Sequence, residues 1–275
     1  MLIPHETPAL NYKKQLAKRF DRASYSYDAY ADFQRQVLKH LLELLPTTAA
    51  DVVMDLGTGT GQALESLLSI YQPQSCIALD LSQHMLSVAE SRASLLERRG
   101  ALHYVCADAE QLPIATSSCQ LIFSSLALQW CLHPSALFAE LYRATAPGGF
   151  LVFSSLCQGS MAEVRHAWRA LDDQEHVHQY EPIDTLKKSV TGAGWTLMSA
   201  ELSRVTMYFE SAQKSIDSLK KIGASLMAKE STSAMSPSKW KAFLREYETQ
   251  RDEQGVPLSY QVSYIVARKP MSSQE

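Results

Sequence analysis

The sequence predicts an α/β fold: a mostly parallel sheet whose last strand runs antiparallel, with helices on both faces and a helical lid over one end. Three observations predict it. Short apolar stretches alternate with amphipathic ones from Asp51 to Phe153, the pattern of parallel strands joined by right-handed helical crossovers. The first strand runs directly into a glycine loop, Gly57-Thr58-Gly59-Thr60-Gly61, that opens a helix. Asp55, Asp80 and Asp108 fall at or beside the ends of the first three strands, facing the crevice where open α/β sheets bind ligands.

Residues 1–10, with Pro4 and Pro8, read as a loose terminus. Residues 11–45 carry Phe33, Val37, Leu38, Leu41, Leu42 and Leu45 at three-to-four spacing before Pro46, which predicts a helix and makes 1–45 an N-terminal helical lid segment. Residues 46–275 read as the main domain. Its first strand is 52–56, followed by a helix over 62–71 and a second strand over 76–81; Ser82 is placed to cap a helix reaching about residue 99. Strands follow at 102–107 and 120–128. Pro134 suits the first turn of a helix over 133–145, which Pro147, Gly148 and Gly149 close before a fifth strand at 150–155. The alternation then loosens into an insertion at about 157–182, rich in His, Trp and acids. A helix over 185–193 turns at Gly194 and Trp195 into a long strand region over 196–210. A second insertion at about 211–255 is helical and lysine-rich, and alternation over 258–268 predicts the final strand. The N-terminal helix and both insertions are expected to form the lid.

Composition excludes several classes. There are 26 basic and 29 acidic residues, a formal charge of −3, which disfavours a general nucleic-acid binder. No apolar run exceeds four residues, so neither a transmembrane span nor a secretory signal is expected, and the chain reads as cytoplasmic. Cys76, Cys106, Cys119, Cys131 and Cys157 form no CxxC and read as buried, reduced thiols. His176 and His178 would share a face on a strand, but no third ligand has matching spacing. No metal is therefore expected; orientation of a substrate, for which His176 is a candidate, or loop packing is the expected role.

The glycines of the loop let the backbone turn tightly and approach a ligand closely. Their spacing is GxGxG, with Gln62 where a dinucleotide fingerprint has its third glycine. A carboxylate at the end of the second strand, Asp80, is placed to accept from both hydroxyls of a ribose. With Leu112-Pro113, Trp130 and the Ala146-Pro147-Gly148-Gly149 turn, these motifs resemble those of the class I S-adenosylmethionine-dependent methyltransferases, a Rossmann-like family, over roughly residues 20–210. The resemblance implies S-adenosylmethionine as cofactor. By it, Gly57, Gly59 and Gly61 serve the methionine and ribose region, Asp80 the ribose and Asp108 the adenine amino group. Asp55, Leu81 and Ala109 complete the implied cofactor set.

A narrower resemblance rests on Arg19-Phe20-Asp21-Arg22-Ala23 with Tyr25 and Tyr27, on Ser125-Leu126-Ala127-Leu128-Gln129-Trp130-Cys131, on Phe153-Ser154-Ser155-Leu156 with Gly159-Ser160, and on His176-Val177-His178. These segments look like the malonyl-acyl-carrier-protein O-methyltransferases of biotin synthesis. Three departures stand out: Thr58 for a usual cysteine, Cys119-Gln120 for a usual Phe-Asp, and His178 for a usual asparagine. The resemblance implies methyl transfer to the free carboxylate of a malonyl thioester, giving a methyl ester and S-adenosylhomocysteine.

Methyl transfer to a carboxylate is an in-line displacement between a positive donor and a negative acceptor, so alignment and exclusion of water help most and no strong base is needed. The sequence holds no HExxH and no GxSxG. Pocket candidates are Tyr25, Tyr27, Gln129, Trp130, Arg165 and His176; Arg19, Arg22 and Arg143 are further guanidinium candidates for gripping the carboxylate. The alternatives are a C- or O-methyltransferase of a quinone or other small molecule, an RNA methyltransferase, and a regulator that binds the methyl donor without catalysis. Ser124-Ser125-Leu126-Ala127 stands where base methylation would want an Asn-Pro-Pro-Tyr-type motif. Between Lys187 and Arg245 lie ten basic residues, Lys229 among them, against four acids. Acyl-carrier proteins are acidic, so Lys187, Lys188, Lys214, Lys220 and Lys221 are expected to form a docking surface for one.

Overall fold

A computed structural model describes residues 7–224 and 236–271. Pro4 and Lys229 lie outside the described residues, as does the middle of the second insertion, 225–235. The seven strands are β1 (Val52–Leu56), β2 (Ser75–Asp80), β3 (Ala101–Cys106), β4 (Cys119–Ser125), β5 (Thr145–Leu156), β6 (Thr196–Phe209) and β7 (Val256–Arg268). They form one sheet in the order β3-β2-β1-β4-β5-β7-β6. β1 to β5 are parallel, and β7 enters antiparallel between β5 and β6. The chain reverses its order at β1, so the C-terminal ends of β1 and β4 border the crevice that such a switch creates.

The helices are α1 (Pro8–Ala23), α2 (Tyr27–Tyr30), α3 (Asp32–Glu43), α4 (Leu64–Tyr71), α5 (Gln83–Ala93), α6 (Pro134–Ala144), α7 (Ala162–Arg169), α8 (Ile183–Gly192), α9 (Ala212–Lys221) and α10 (Pro237–Glu248). Strand alternation sorts them into two layers. Val53, Phe123 and Val152 point to one face, where α3, α4, α7, α9 and α10 pack; Met54, Ile122 and Leu151 point to the other, covered by α6 and α8. The apolar stripe expected near the N-terminus is real: Phe33, Val37 and Leu41 of α3 are buried, and Phe33 stacks on Tyr260 of β7 at 3.9 Å.

The single helix expected over residues 11–45 is instead three. Two serines break it: the Ser24 hydroxyl donates to the Asp21 carbonyl at 2.9 Å and that of Ser26 to the Ala23 carbonyl at 3.3 Å, local bonds that compete with continued helix. Ser82 caps α5 as expected, its hydroxyl accepting from the Met85 amide at 3.1 Å, but the helix stops at Ala93. The Pro147-Gly148-Gly149 segment is not a free turn. It belongs to β5, with Gly148 at φ +77° and its amide bonded to the Lys269 carbonyl. The first insertion contains α7, whose Trp168 stacks on Phe243 of α10 at 4.2 Å. His176 and His178 lie on no strand. Cys76, Cys119 and Cys157 are buried and Cys131 is half-buried, whereas Cys106 is exposed because it ends the edge strand β3. Among the described residues no helix is long and apolar enough to cross a membrane.

Candidate active site

The glycine loop is tied across the top of the sheet: the amides of Gly57 and Thr58 both donate to the Leu79 carbonyl, at 2.7 and 3.0 Å. At Gly57, φ is +71° and a Cβ would stand 2.2 Å from that of Ala127, so only glycine allows the loop to lie against the segment after β4. Gly59 opens onto free space. Asp80 accepts from the Gly59 amide at 2.9 Å and from the Ser82 amide at 2.8 Å. Burial nevertheless pushes its carboxyl up to about 6.

Gly57, Gly59, Asp80, Leu81, Asp108 and Ala109 line one cavity of about 100 Å³. Asp55 and Gly61 do not line it. Asp55 is buried beneath the loop, accepting from the Thr58 hydroxyl at 2.6 Å, and burial pushes its carboxyl up to about 7. Gly61 packs against α5, where a Cβ would come within 3.0 Å of Ala89 and Leu64. Both shape the loop from behind.

The N-terminal helices close the cavity from above. Lys13, Leu16 and Phe20 of α1 line it together with Tyr27. The Lys13 ammonium lies 2.9 Å from Asp108 and 2.5 Å from Glu110, and its side chain is only 10% exposed. Sequence reasoning missed Lys13, although its spacing with Leu16, Phe20 and Ala23 on one helical face marks it as inward-facing. Two aspartates fasten the same region: Asp21 accepts from the Ser82 hydroxyl at 2.5 Å, and Asp28 accepts from Thr60 at 2.7 Å and Gln62 at 2.8 Å and pairs with Arg92.

The donor and acceptor set suits S-adenosylmethionine. Asp80 offers acceptors to ribose hydroxyls, Asp108 one to an amino group, Gly59 leaves room for close approach, and Leu81, Met85 and Leu128 supply apolar walls. The volume does not yet suit it. Small-molecule sites typically run to about 300–1,000 Å³, and α1 supplies one wall of this smaller space.

The pocket candidates divide. Tyr27 and Trp130 line the cavity, and Trp130 packs edge-on against Phe20 at 5.8 Å. Tyr25 does not: it is 86% exposed, because it sits in the serine-broken turn between α1 and α2 and projects outward. His176 does not either. It is buried in a separate stack, face to face with Trp168 at 4.0 Å and bonded to Asp172 at 2.8 Å. Gln129 lines a second cavity of about 110 Å³ with Ser155, His178 and Tyr180. Arg165 is committed to an ion pair with Glu175 and a bond to the His178 carbonyl at 3.3 Å. Arg143 pairs with Glu140 at 2.8 Å on α6, away from both cavities. Among the described residues no group of three or more His, Cys, Asp or Glu side chains is placed to hold a metal.

The expected docking lysines split as well. Lys187 and Lys188 ride on α8, on one face of the sheet, and Lys214, Lys220 and Lys221 on α9, on the other, because β6 separates the two helices. Lys220 and Lys221 join Arg19 and Arg22 of α1 around an open groove of about 910 Å³.

Comparisons with known proteins agree with this geometry. Residues 54–153 match the model of a methyltransferase domain family. The chain is 58% identical over 272 residues to the malonyl-[acyl-carrier protein] O-methyltransferase of Marinomonas sp. (strain MWYL1), covering 99% of this chain and 100% of that one. It is 32% identical to the enzyme of the same name from Gallionella capsiferriformans (strain ES-2), over 94% of this chain and 91% of that one. The solved structure of phosphoethanolamine N-methyltransferase 2 from Haemonchus contortus, in complex with S-adenosylhomocysteine, shares the fold: TM-score 0.59 at 17% identity, over 98% of this chain and 62% of that one. With one strand order, one glycine loop and a near full-length match in hand, the chain belongs to the malonyl-[acyl-carrier protein] O-methyltransferase family of class I methyltransferases.

Proposed function

We propose that the chain methylates the free carboxylate of a malonyl thioester carried by an acyl-carrier protein, with S-adenosylmethionine as donor. The observation that carries this reading is the 58% identity over 99% of the chain, a match whose span includes the lid and both insertions as well as the cofactor loop. Methylation there yields an uncharged ester and S-adenosylhomocysteine, an early step of biotin synthesis.

When bound, S-adenosylmethionine supplies an electrophilic methyl group on a positively charged sulfur. Asp80 would hold the ribose and Asp108 the adenine amino group, while Gly57 and Gly59, which line the same cavity, would let the backbone lie close to the methionine part. Leu16, Phe20, Tyr27 and Trp130 roof the reaction space and exclude water. The acceptor is already a carboxylate, so no residue has to remove a proton. Tyr27 fits that requirement: burial, with Asp80 and Asp28 nearby, raises its pKa, so its hydroxyl stays protonated and orients rather than acts as a base.

The carrier protein is proposed to dock on the groove flanked by Arg19, Arg22, Lys220 and Lys221, with Lys214 on the same helix. An acidic partner gains orientation and encounter rate from such a surface. Lys187 and Lys188 lie on the opposite face and are left out of it.

The direct test compares a malonyl thioester with a propionyl thioester, which has a methyl group in place of the carboxylate. Only the malonyl compound should accept a methyl group. Equal turnover of the two would identify a different acceptor atom and overturn the reading.

A further inference from the structure

The second cavity has no assigned occupant. It lies at the C-terminal ends of β4 and β5 and shares Leu128 and Cys131 with the cofactor cavity. Trp130, which lines the cofactor cavity, packs 5.9 Å from His178 in the second one. The two spaces therefore adjoin.

Three of its polar groups lack a partner, and they are uncharged. The Gln129 amide nitrogen donates to the Leu126 carbonyl at 2.6 Å, which fixes the orientation of the side-chain amide. Its carbonyl oxygen is left fully buried with no hydrogen-bond partner. A buried acceptor without a donor is costly, so a ligand that brings an N–H is favoured there. Neither the Tyr180 hydroxyl nor the His178 ring makes a hydrogen bond among the described residues. Burial lowers the His178 pKa, which keeps the ring neutral, and raises that of Tyr180, which keeps its proton on as a donor. Arg165 is neutralised by Glu175, and the one charged lining residue, Glu181, is exposed at the rim.

An uncharged chamber of this kind disfavours a carboxylate, which would lose its hydration without gaining a cation. It suits the other end of the substrate. We propose that this cavity binds the amide-bearing end of the thioester arm, with the Gln129 carbonyl oxygen accepting the amide N–H and the Tyr180 hydroxyl donating to the carbonyl of the same amide. The malonyl carboxylate is then directed out of the chamber towards the cofactor cavity, where the positive donor lies. The inference rests on the malonyl thioester reading and adds to it a means of recognising the arm.

The test uses two small substrates with the same carboxylate and thioester: malonyl-N-acetylcysteamine, which carries the amide, and S-ethyl malonyl thioester, which lacks it. The wild-type enzyme should favour the amide-bearing compound in kcat/KM by roughly tenfold, the worth of one bond to an otherwise unpaired buried acceptor. Gln129→Met should abolish most of that preference. Tyr180→Phe, which removes a hydroxyl with no partner in the protein and so leaves the fold intact, should reduce it, with S-adenosylhomocysteine affinity unchanged by calorimetry in both variants. A wild-type enzyme that treats the two substrates alike, or a Tyr180→Phe enzyme that keeps the full preference, would overturn the subsite. Failure of the wild-type enzyme to methylate either substrate or malonyl-carrier protein would instead overturn the function on which it rests.

Discussion

At the residue scale, Asp80 and Asp55 carry opposite burdens. Asp80 faces the cavity, so Asp80→Ala should weaken S-adenosylmethionine binding by about 1.5–3 kcal/mol, the range for hydrogen bonds to a charged group; calorimetry with an intact fold and unchanged affinity would contradict its role. Asp55 instead supports the loop from below, through Thr58. Its carboxyl is pushed up to about 7 and that of Asp80 to about 6, both above the usual value of about 3.9 for an unfolded chain. Between about pH 4 and 7 the folded chain therefore holds protons that the unfolded chain releases, and stability falls as pH rises through that window. Asp55→Asn keeps an acceptor for Thr58 and removes the ionisation. Thermal melts at pH 5 and pH 8 should show a smaller drop for Asp55→Asn than for the wild type. Equal drops would mean that Asp55 is not the group responsible.

At the scale of elements, α3 and α1 do different work although they follow one another in the chain. α3 is core: Leu41 is fully buried between the helix and the sheet, and Leu41→Ala should destabilise the protein by about 2–5 kcal/mol in denaturant unfolding. α1 holds its place with Lys13, Asp21 and a few apolar side chains over a cavity too small for the cofactor. Its amides should exchange hydrogen readily in the free protein and become protected when S-adenosylhomocysteine binds. Exchange in α1 that ignores the ligand would show that this helix is not a lid. β1 to β4 were legible in the sequence because each is a short, largely apolar run, β7 because its residues alternate, and the start of α5 because Ser82 stands one residue ahead of it. The break between α1 and α2 was not. It depends on two serine hydroxyls choosing backbone carbonyls, and it decides that Tyr27 turns in while Tyr25 turns out.

At the scale of the whole molecule, the long-range pairings were the part hidden from sequence. Lys13 meets Asp108 across 95 positions, and the stack of His176, Trp168 and Phe243 draws on three separate segments. The docking lysines show the same limit: they are near neighbours in the chain, yet β6 puts α8 and α9 on opposite faces. The surviving basic groove gives a definite expectation. Lys220→Glu with Lys221→Glu should raise the apparent KM for malonyl-carrier protein, as should added salt with the unmutated enzyme, while turnover of a small malonyl thioester stays nearly constant. If both substrates respond alike, the groove is not where the carrier docks.

The central claim is methyl transfer to a carboxylate, and one measurement meets it directly. The protein is incubated with S-adenosylmethionine labelled in its methyl group and with malonyl-carrier protein, and the label on the carrier is followed before and after mild base. The account predicts that label accumulates on the malonyl group as an ester and is released by base as methanol. Label that resists base, or a protein that binds S-adenosylhomocysteine tightly yet transfers no label to malonyl-carrier protein, would contradict it.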